Sequence, residues 1–229
     1  MAIKRNARDF KKNFYENTSW KANAVICGID EVGRGCLAGP LVTAAVILPP
    51  NTGYKLLKDS KILTPKELIL AYKWIKRNCR YNIGIASHNN IDTFNIWQAT
   101  LIAMKKAAIH LIASSDIKPS AILVDAIPLN LSDTSYCSIP VYYFPKGEKK
   151  STSIAAASIV AKVTRDKMMK KLDPIFPGYH LAQHKGYGTK KHKTAIDNQK
   201  HTIIHRTSFL KKSFISDEDY EYEEQLSLC

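Results

Sequence analysis

Apolar runs too short for helices alternate along the first half of the chain with turn-forming residues. "NAVICGID" (23–30) and "LVTAAVIL" (41–48) are separated by glycine-containing turn chemistry and read as neighbouring strands joined by a tight connection. "RYNIGIAS" (80–87) is a third strand. The period then changes. Over "IDTFNIWQATLIAMKKAAIHLIAS" the positions Ile96, Leu101, Ala103, Met104 and Ala107 recur at spacings of three and four, which predicts a long amphipathic helix. "SAILVDA" follows as a continuous apolar strand ending in an acid, and "IPVYYF" as another. "KKSTSIAAASIVAKVTRDKMMKKLD" is helical again, with Ser151, Thr152 and Ser153 available as an N-cap. Strands first, then strands alternating with helices, predict an α/β domain with a mixed sheet and helices packed on it.

From Pro174 to Lys212 the chain is rich in Lys, His, Gly and Tyr, with too few periodic apolar positions for a core element, and reads as a helical appendage. These shifts divide the chain into a basic, loose start over 1–22, a core over 23–173, the appendage over 174–216 and an acidic, flexible tail over 217–229. There is no internal repeat.

Charge narrows the class of partner. Lys and Arg number 34 against 20 Asp and Glu, a net +14, and the last 13 residues hold six of those acids and no Lys or Arg. The first 216 residues therefore carry +20. Such an excess favours a polyanion, nucleic acid or an anionic membrane surface, and a body this basic makes phosphate contact the better expectation. No apolar run approaches the roughly 18 residues of a membrane span. The first residues, "MAIKRNARDFKKNFYENTSWK", lack the apolar stretch of a signal peptide, so a cytoplasmic location is expected. The five cysteines (27, 36, 79, 137 and 229) are scattered with no C-x-x-C pair, which argues against a disulfide framework or a zinc cage.

Four acids stand where acids are costly. Asp30 and Glu31 close the first strand, Asp125 closes "AILVD", and Glu148 follows "VYYFPKG". Taken singly, a strand-end acid is more often a turn or cap residue than a ligand. Several strands each ending in an acid, however, gather carboxylates beyond their carboxyl ends. Such a cluster repels itself unless hard cations neutralise it, and Mg²⁺ or Mn²⁺ suits an oxygen-only site. Two such ions about 3.5–4 Å apart activate water and stabilise the leaving oxygen of a phosphodiester.

The segments "GIDEVGRGCLAGPLVTAAVIL", "KDSKIL", "IDTFNIWQATLIAMKKA", "LVDA", "KGEKKSTSIAAASIVAKVTRDKMM", "FPGYHLAQHKGYGTKKH" and "HRTSF" resemble, in order, those of the bacterial type 2 ribonucleases H, the ribonuclease HII family. The likeness runs over about residues 23–210. It implies a ribonuclease H-like mixed sheet flanked by helices with a C-terminal helical appendage. The activity it implies is metal-dependent hydrolysis of RNA in RNA/DNA hybrids, and incision 5′ of single ribonucleotides in duplex DNA. By motif, the metal-binding and catalytic acids would be Asp30, Glu31, Asp125 and Glu148, holding two Mn²⁺ or Mg²⁺ ions. Cleavage would leave 3′-hydroxyl and 5′-phosphate ends.

Two positions depart from the family. Glu148 stands where Asp is usual after Lys-Gly, as in the related type 3 enzymes, and Cys36 replaces a usual Pro. The first departure opens the question of Mn²⁺ against Mg²⁺. Arg34, where type 3 members usually have Lys, disfavours that subfamily. Asp166 in "VTRD" is a rival for the fourth acid, but between Arg165 and Lys167 it reads as an ion-pair residue.

A ribonucleotide differs from its DNA neighbours only in the 2′-OH, read across the shallow minor groove. Gly33 and Gly35 let the backbone lie against a sugar, Arg34 can meet a phosphate, and the resemblance implies that Tyr187 packs on the neighbouring deoxyribose and reaches the 2′-OH. Ser60, Lys61, Lys146, Lys185 and Arg206 are candidate phosphate contacts. His201 and His205 have the i, i+4 spacing of half a metal site but no third ligand, so a supporting or phosphate-contacting role is expected for them.

In the tail, Gln225, Leu226, Ser227 and Leu228 resemble the Gln-Leu-Ser-Leu-Phe type of peptide that docks replication and repair proteins on the sliding clamp, with Cys229 in place of the aromatic residue. The expected protein is thus a monomeric nuclease. Its rivals are a non-catalytic nucleic-acid or clamp-binding adaptor, which leaves the four acids without a task, and a DNA-only nuclease of similar fold.

Overall fold

A computed structural model describes residues 4–5 and 11–214, with side chains over 11–210. The centre is a mixed sheet of five strands: β2 (Ile26–Val32), β3 (Leu41–Ile47), β4 (Arg80–Ala86), β5 (Ala121–Asp125) and β6 (Val141–Phe144). A two-residue strand, β1 (Lys4–Arg5), extends its edge, and the order is β1-β6-β5-β2-β3-β4. β2, β3 and β4 pair antiparallel, whereas β2, β5 and β6 are parallel and so end at the same edge.

The strands are apolar on both sides because both faces are covered. On β3, Ala45 and Ile47 face the long helix α3 (His88–Ala113) through Met104, Ala107 and Leu111. The alternate residues Val42, Ala44 and Val46 face α2 (Pro65–Asn78) and α5 (Thr152–Leu172). This period of two is what a sheet sandwiched between helices requires. α5 comes closest to β2: a Cβ on Gly28 would lie 2.2 Å from the backbone of Ser153.

The helix α2 is absent from the elements expected of the sequence, although "TPKE" carries its start signal. Thr64 and Glu67 form a reciprocal capping box and Pro65 opens the first turn. α3 was expected as one helix and is two: Asn95 stands at φ 61°, ψ 165°, and its Oδ1 restarts the helix by accepting from Trp97 N and Gln98 N at 2.9 and 3.1 Å. The loose start also fails from residue 11 onward, because α1 (Phe14–Lys21) docks on the core with Glu16 and Trp20 buried.

A single helical turn, α4 (Gly147–Lys150), precedes α5. The appendage consists of α6 (Leu181–His184), α7 (Lys190–Gln199) and α8 (Thr207–Phe214). It has its own apolar cluster, in which Leu37, Ala38 and Met169 of the core meet Tyr179, Leu181, Ala195, Ile196 and Ile204. Among the described residues no helix is long and apolar enough to cross a membrane.

Candidate active site

The parallel strands bring the acids to one edge. β2 and β5 are in register with Ile29 beside Val124, so the next residues, Asp30 and Asp125, are neighbours across the sheet. β6 then leads through Pro145 and Lys146 into α4, which carries Glu148. Gly147 N donates to Asp125 Oδ1 at 2.6 Å, tying that turn to the end of β5. Glu31 follows Asp30 along the strand and leaves it on the opposite face; its N–H donates to Asp30 Oδ1 at 2.7 Å.

Electrostatics mark the edge as overcharged. Asp30, 6% exposed, has its carboxyl raised well above the ordinary range, first by burial and then by the charges of Glu31 and Asp125. Glu31 is raised to about 7 by burial, against the lowering charge of Arg34. Asp125 is raised by burial and by Glu148, against the Gly147 N–H. Glu148 is 7% exposed. Burial leads in all three, and the repulsion among the carboxylates adds to it. The Arg34 guanidinium, 3.7 Å from Glu31 Oε1, is the main opposing charge on Glu31 and does not cancel the effect of burial.

These donors fit a hard divalent cation in kind. All are carboxylates, and Glu31 Oε2 is buried with no hydrogen-bond partner. They do not yet form a ligand cage, since among the described residues no three His, Cys, Asp or Glu side chains converge on one point.

The glycine turn lies beside the acids and is built from behind. Gly33 has φ +92°, and a Cβ there would lie 2.2 Å from Arg165 Nε. Arg165 donates to the carbonyls of Pro40, Ala38 and Lys185 at 2.8, 3.2 and 2.8 Å. Arg206 donates to those of Gly33, Arg34 and Gly39 at 2.7, 2.8 and 2.9 Å. The segment after the turn pairs with both flanking loops, Cys36 with Tyr187 and Ala38 with His205. Tyr187 is thereby carried next to the turn, its ring 38% exposed with Arg165 Cζ 5.7 Å from its centre. Burial first, and then the Cys36 thiol to which its hydroxyl bonds, push the phenol upward.

Several expected phosphate contacts lie elsewhere. Arg206 is 0% exposed, so its guanidinium is spent on carbonyls and cannot reach a phosphate. Ser60 is buried and bonds Ser158 Oγ at 2.9 Å; Ser158 bonds Asp30, so Ser60 stands behind the acid. The Lys185 ammonium is engaged by the carbonyls of Ala182 and Gln183. Lys61 and Lys146 are exposed, and Lys61 acts on the charge of Asp125. Asp166 pairs with Lys162 at 2.9 Å.

Gln225, Leu226 and Leu228 lie outside the described residues. Asp59, buried and close enough to raise the Asp125 carboxyl, went unselected although it heads the "DSK" segment. So did Arg165, which "VTRD" shows only as one more cation.

His201 and His205 are not on a common helix. His205 belongs instead to a buried relay. Its Nδ1 accepts from Thr202 N at 2.9 Å, so Nε2 carries the proton and donates to His192 Nε2 at 3.1 Å; His192 Nδ1–H then donates to Tyr187 O at 3.0 Å. Both rings are lowered to about 4, by burial first.

Residues 27–214 match the family model described as Ribonuclease HII. Ribonuclease HII of Levilactobacillus brevis is 44% identical over 196 residues, 85% of this chain and 72% of that protein. That of Staphylococcus epidermidis is 46% identical over 200 residues, 86% and 74% of the two chains. Among solved structures, ribonuclease HII of Archaeoglobus fulgidus, determined in complex with PCNA, aligns at TM-score 0.66 and 26% identity over 80% of this chain and 94% of its own. A Bst ribonuclease HIII in complex with Mn²⁺ aligns at 0.64 and 18% identity over 89% and 72%, a likeness of fold.

Proposed function

This chain belongs to the ribonuclease HII family, and is therefore a ribonuclease H endonuclease; on that premise we propose that it cleaves RNA in RNA/DNA hybrids and nicks duplex DNA 5′ of a single embedded ribonucleotide, leaving 3′-hydroxyl and 5′-phosphate ends. The observation that carries this reading is the adjacency of two parts. Asp125 ends β5 beside Asp30, which does not close β2 as expected but lies within it, paired to Ala44, with the strand running on to Val32; the turn of Glu148 stands next to them, and the Gly33–Arg34–Gly35 turn that follows β2 is cross-braced to Tyr187 through Cys36.

In this reading Asp30, Glu31, Asp125 and Glu148 hold divalent metal, two ions of Mn²⁺ or Mg²⁺. Bound there, the metal supplies the positive charge and the activated water that phosphodiester hydrolysis needs. The extra methylene of Glu148 lengthens its reach across from Asp125. Gly33, Arg34 and Gly35 present backbone groups and a guanidinium to the sugar and phosphate at the cut. The Tyr187 ring packs on the next sugar, where only a deoxyribose allows close contact. Exposed Lys61 and Lys146 take phosphates on either side, and the +20 body draws the duplex in. Residues 23–173 are the catalytic core and 174–216 the substrate-binding part.

The tail's Gln225-Leu226-Ser227-Leu228 docks the enzyme on a sliding clamp, a role that accords with the PCNA complex of the Archaeoglobus protein. The enzyme works as a monomer.

The test is duplex DNA with one ribonucleotide, incubated with Mg²⁺ or Mn²⁺ and its product ends mapped. One nick 5′ of the ribonucleotide with a 3′-hydroxyl supports the proposal. Tight binding with no nick in either metal returns the non-catalytic adaptor, and equal cutting of all-DNA duplex returns a DNA nuclease.

A further inference from the structure

The start of α5 is buried, and its first N–H groups have no partner within the helix. Two of the acceptors come from α1 and its cap. Asn13 Oδ1 accepts from Thr152 N at 2.9 Å and Thr152 Oγ1 at 2.8 Å. Glu16 Oε1 accepts from Ser153 N at 3.1 Å and from the Ser151 hydroxyl. Glu16 is 1% exposed, so its carboxylate is held at the positive end of a 21-residue helix, where negative charge is favoured.

The same contacts reach the turn of Glu148. At its front, Gly147 N is bound to Asp125; Ser151 N closes it onto Gly147 O at 2.8 Å; at its back, Asn13 N donates to Lys150 O at 2.8 Å. Tyr15 lays its ring on Tyr142 and Phe144, centroids 4.9 and 6.2 Å away, at the end of the strand that leads into this turn. Asn13 and Glu16 therefore grip the segment on one side of Glu148 while Asp125 grips it on the other. Neither makes a hydrogen bond to the Gly33 turn or to Tyr187 among the described residues. Both precede residues 27–214, the span of the family match.

We propose that Asn13 and Glu16 are positioning residues for Glu148: α1 sets where that carboxylate stands relative to Asp125, and hence how tightly the acid cluster holds a divalent cation. This rests on the reading of Glu148 as a metal ligand. A helix that merely stabilised the fold would affect metal and nucleic acid alike, whereas a positioning helix affects the metal alone.

The experiment titrates Mn²⁺ into metal-free full-length protein, followed by electron paramagnetic resonance, for wild type, Asn13→Ala, Glu16→Met and Glu148→Ala. Binding of uncleaved ribonucleotide-bearing duplex is measured in EDTA alongside. Asn13→Ala and Glu16→Met are expected to weaken Mn²⁺ binding about tenfold, the scale of a lost supporting contact, and to change duplex affinity by less than about twofold. If Glu148→Ala weakens Mn²⁺ binding and the other two variants do not, the positioning role is overturned while the ligand reading stands. If Glu148→Ala also binds Mn²⁺ as wild type does, the ligand reading itself has failed. Parallel losses for metal and duplex reduce α1 to a stabiliser and overturn the proposal. Should Asn13→Ala not fold, Glu16→Met, which removes the acceptor oxygens and keeps the length of the side chain, decides the matter.

Discussion

Replacing Arg206 with Leu removes the support of the glycine turn without touching any residue proposed to meet substrate. Its guanidinium serves three carbonyls, those of Gly33, Arg34 and Gly39, within 2.9 Å and without access to water. A buried acceptor left unpaired costs about 1–3 kcal/mol. Three such losses sum to more than the event costs, because the leucine restores apolar packing and removes a desolvated cation. With the leucine offsetting about one of the three, two unpaired acceptors at about 1–3 kcal/mol each leave roughly 3–5 kcal/mol as the figure expected here. For a protein of this size it lowers Tm by roughly 6–20 °C, at about 2–4 °C per kcal/mol. Thermal and urea unfolding measure it. The residual activity at a temperature where the variant is folded should show a raised KM for the ribonucleotide duplex, since the turn proposed to meet the sugar has lost its backing. Arg206→Lys keeps the charge but cannot span three acceptors, and should fall between the two. A Leu variant within about 1 kcal/mol of wild type would refute the reasoning, because surface substitutions commonly fall in that range.

Three further outcomes follow from the same geometry. Gly28→Ala puts a Cβ 2.2 Å from the Ser153 carbonyl carbon and 2.4 Å from Ile154 N, both in helix backbone that cannot swing aside, so urea denaturation should show a loss of about 1–3 kcal/mol or more. His192 and His205, held at about 4 in the fold against 6.5 when free, leave the unfolded chain with more bound protons below pH 6.5; their contribution is full above that pH and is lost as pH falls toward 4. The raised carboxyls of Asp30, Glu31 and Asp125 work in the opposite sense, so the check is the difference between wild type and His205→Gln, which should shrink as the pH drops from 6.5 to 4. Truncation before Asp217 should abolish binding to purified clamp and leave nicking of free duplex intact; equal clamp binding by the truncated chain would remove the tail from the account.

The strands and the two long helices were legible because their burial is written in local periodicity. The acids at the sheet edge were legible for a topological reason: β2, β5 and β6 are parallel, so residues ending their apolar runs must meet. What stayed hidden depends on tertiary burial. In a chain with 34 Lys and Arg, nothing local distinguishes Arg165 and Arg206, which bind carbonyls in the interior, from cations that meet a phosphate. Ser60 likewise read as a phosphate contact, and only the approach of Ser158 places it behind Asp30. α1 read as a loose basic arm because its docking rests on a few separate contacts, the Trp20 and Tyr15 rings and the polar Asn13 and Glu16 that cap α5, rather than on a continuous apolar stripe. α2, by contrast, carried an ordinary start signal at Thr64, Pro65 and Glu67. The kink at Asn95 interrupts a regular apolar period, which periodicity alone cannot register.

Whether the acid edge cuts and the glycine turn chooses where is decided by nicking rates on two duplexes that differ in a single 2′-OH, with Mn²⁺ or Mg²⁺, for wild type and Asp30→Asn. Wild type is expected to cut the ribonucleotide duplex alone, and Asp30→Asn to lose at least about a thousandfold in rate with duplex binding retained, the scale of losing a group that acts in the transition state. Cutting of both duplexes at one rate, or nicking by Asp30→Asn at the wild-type rate, would contradict this division of roles.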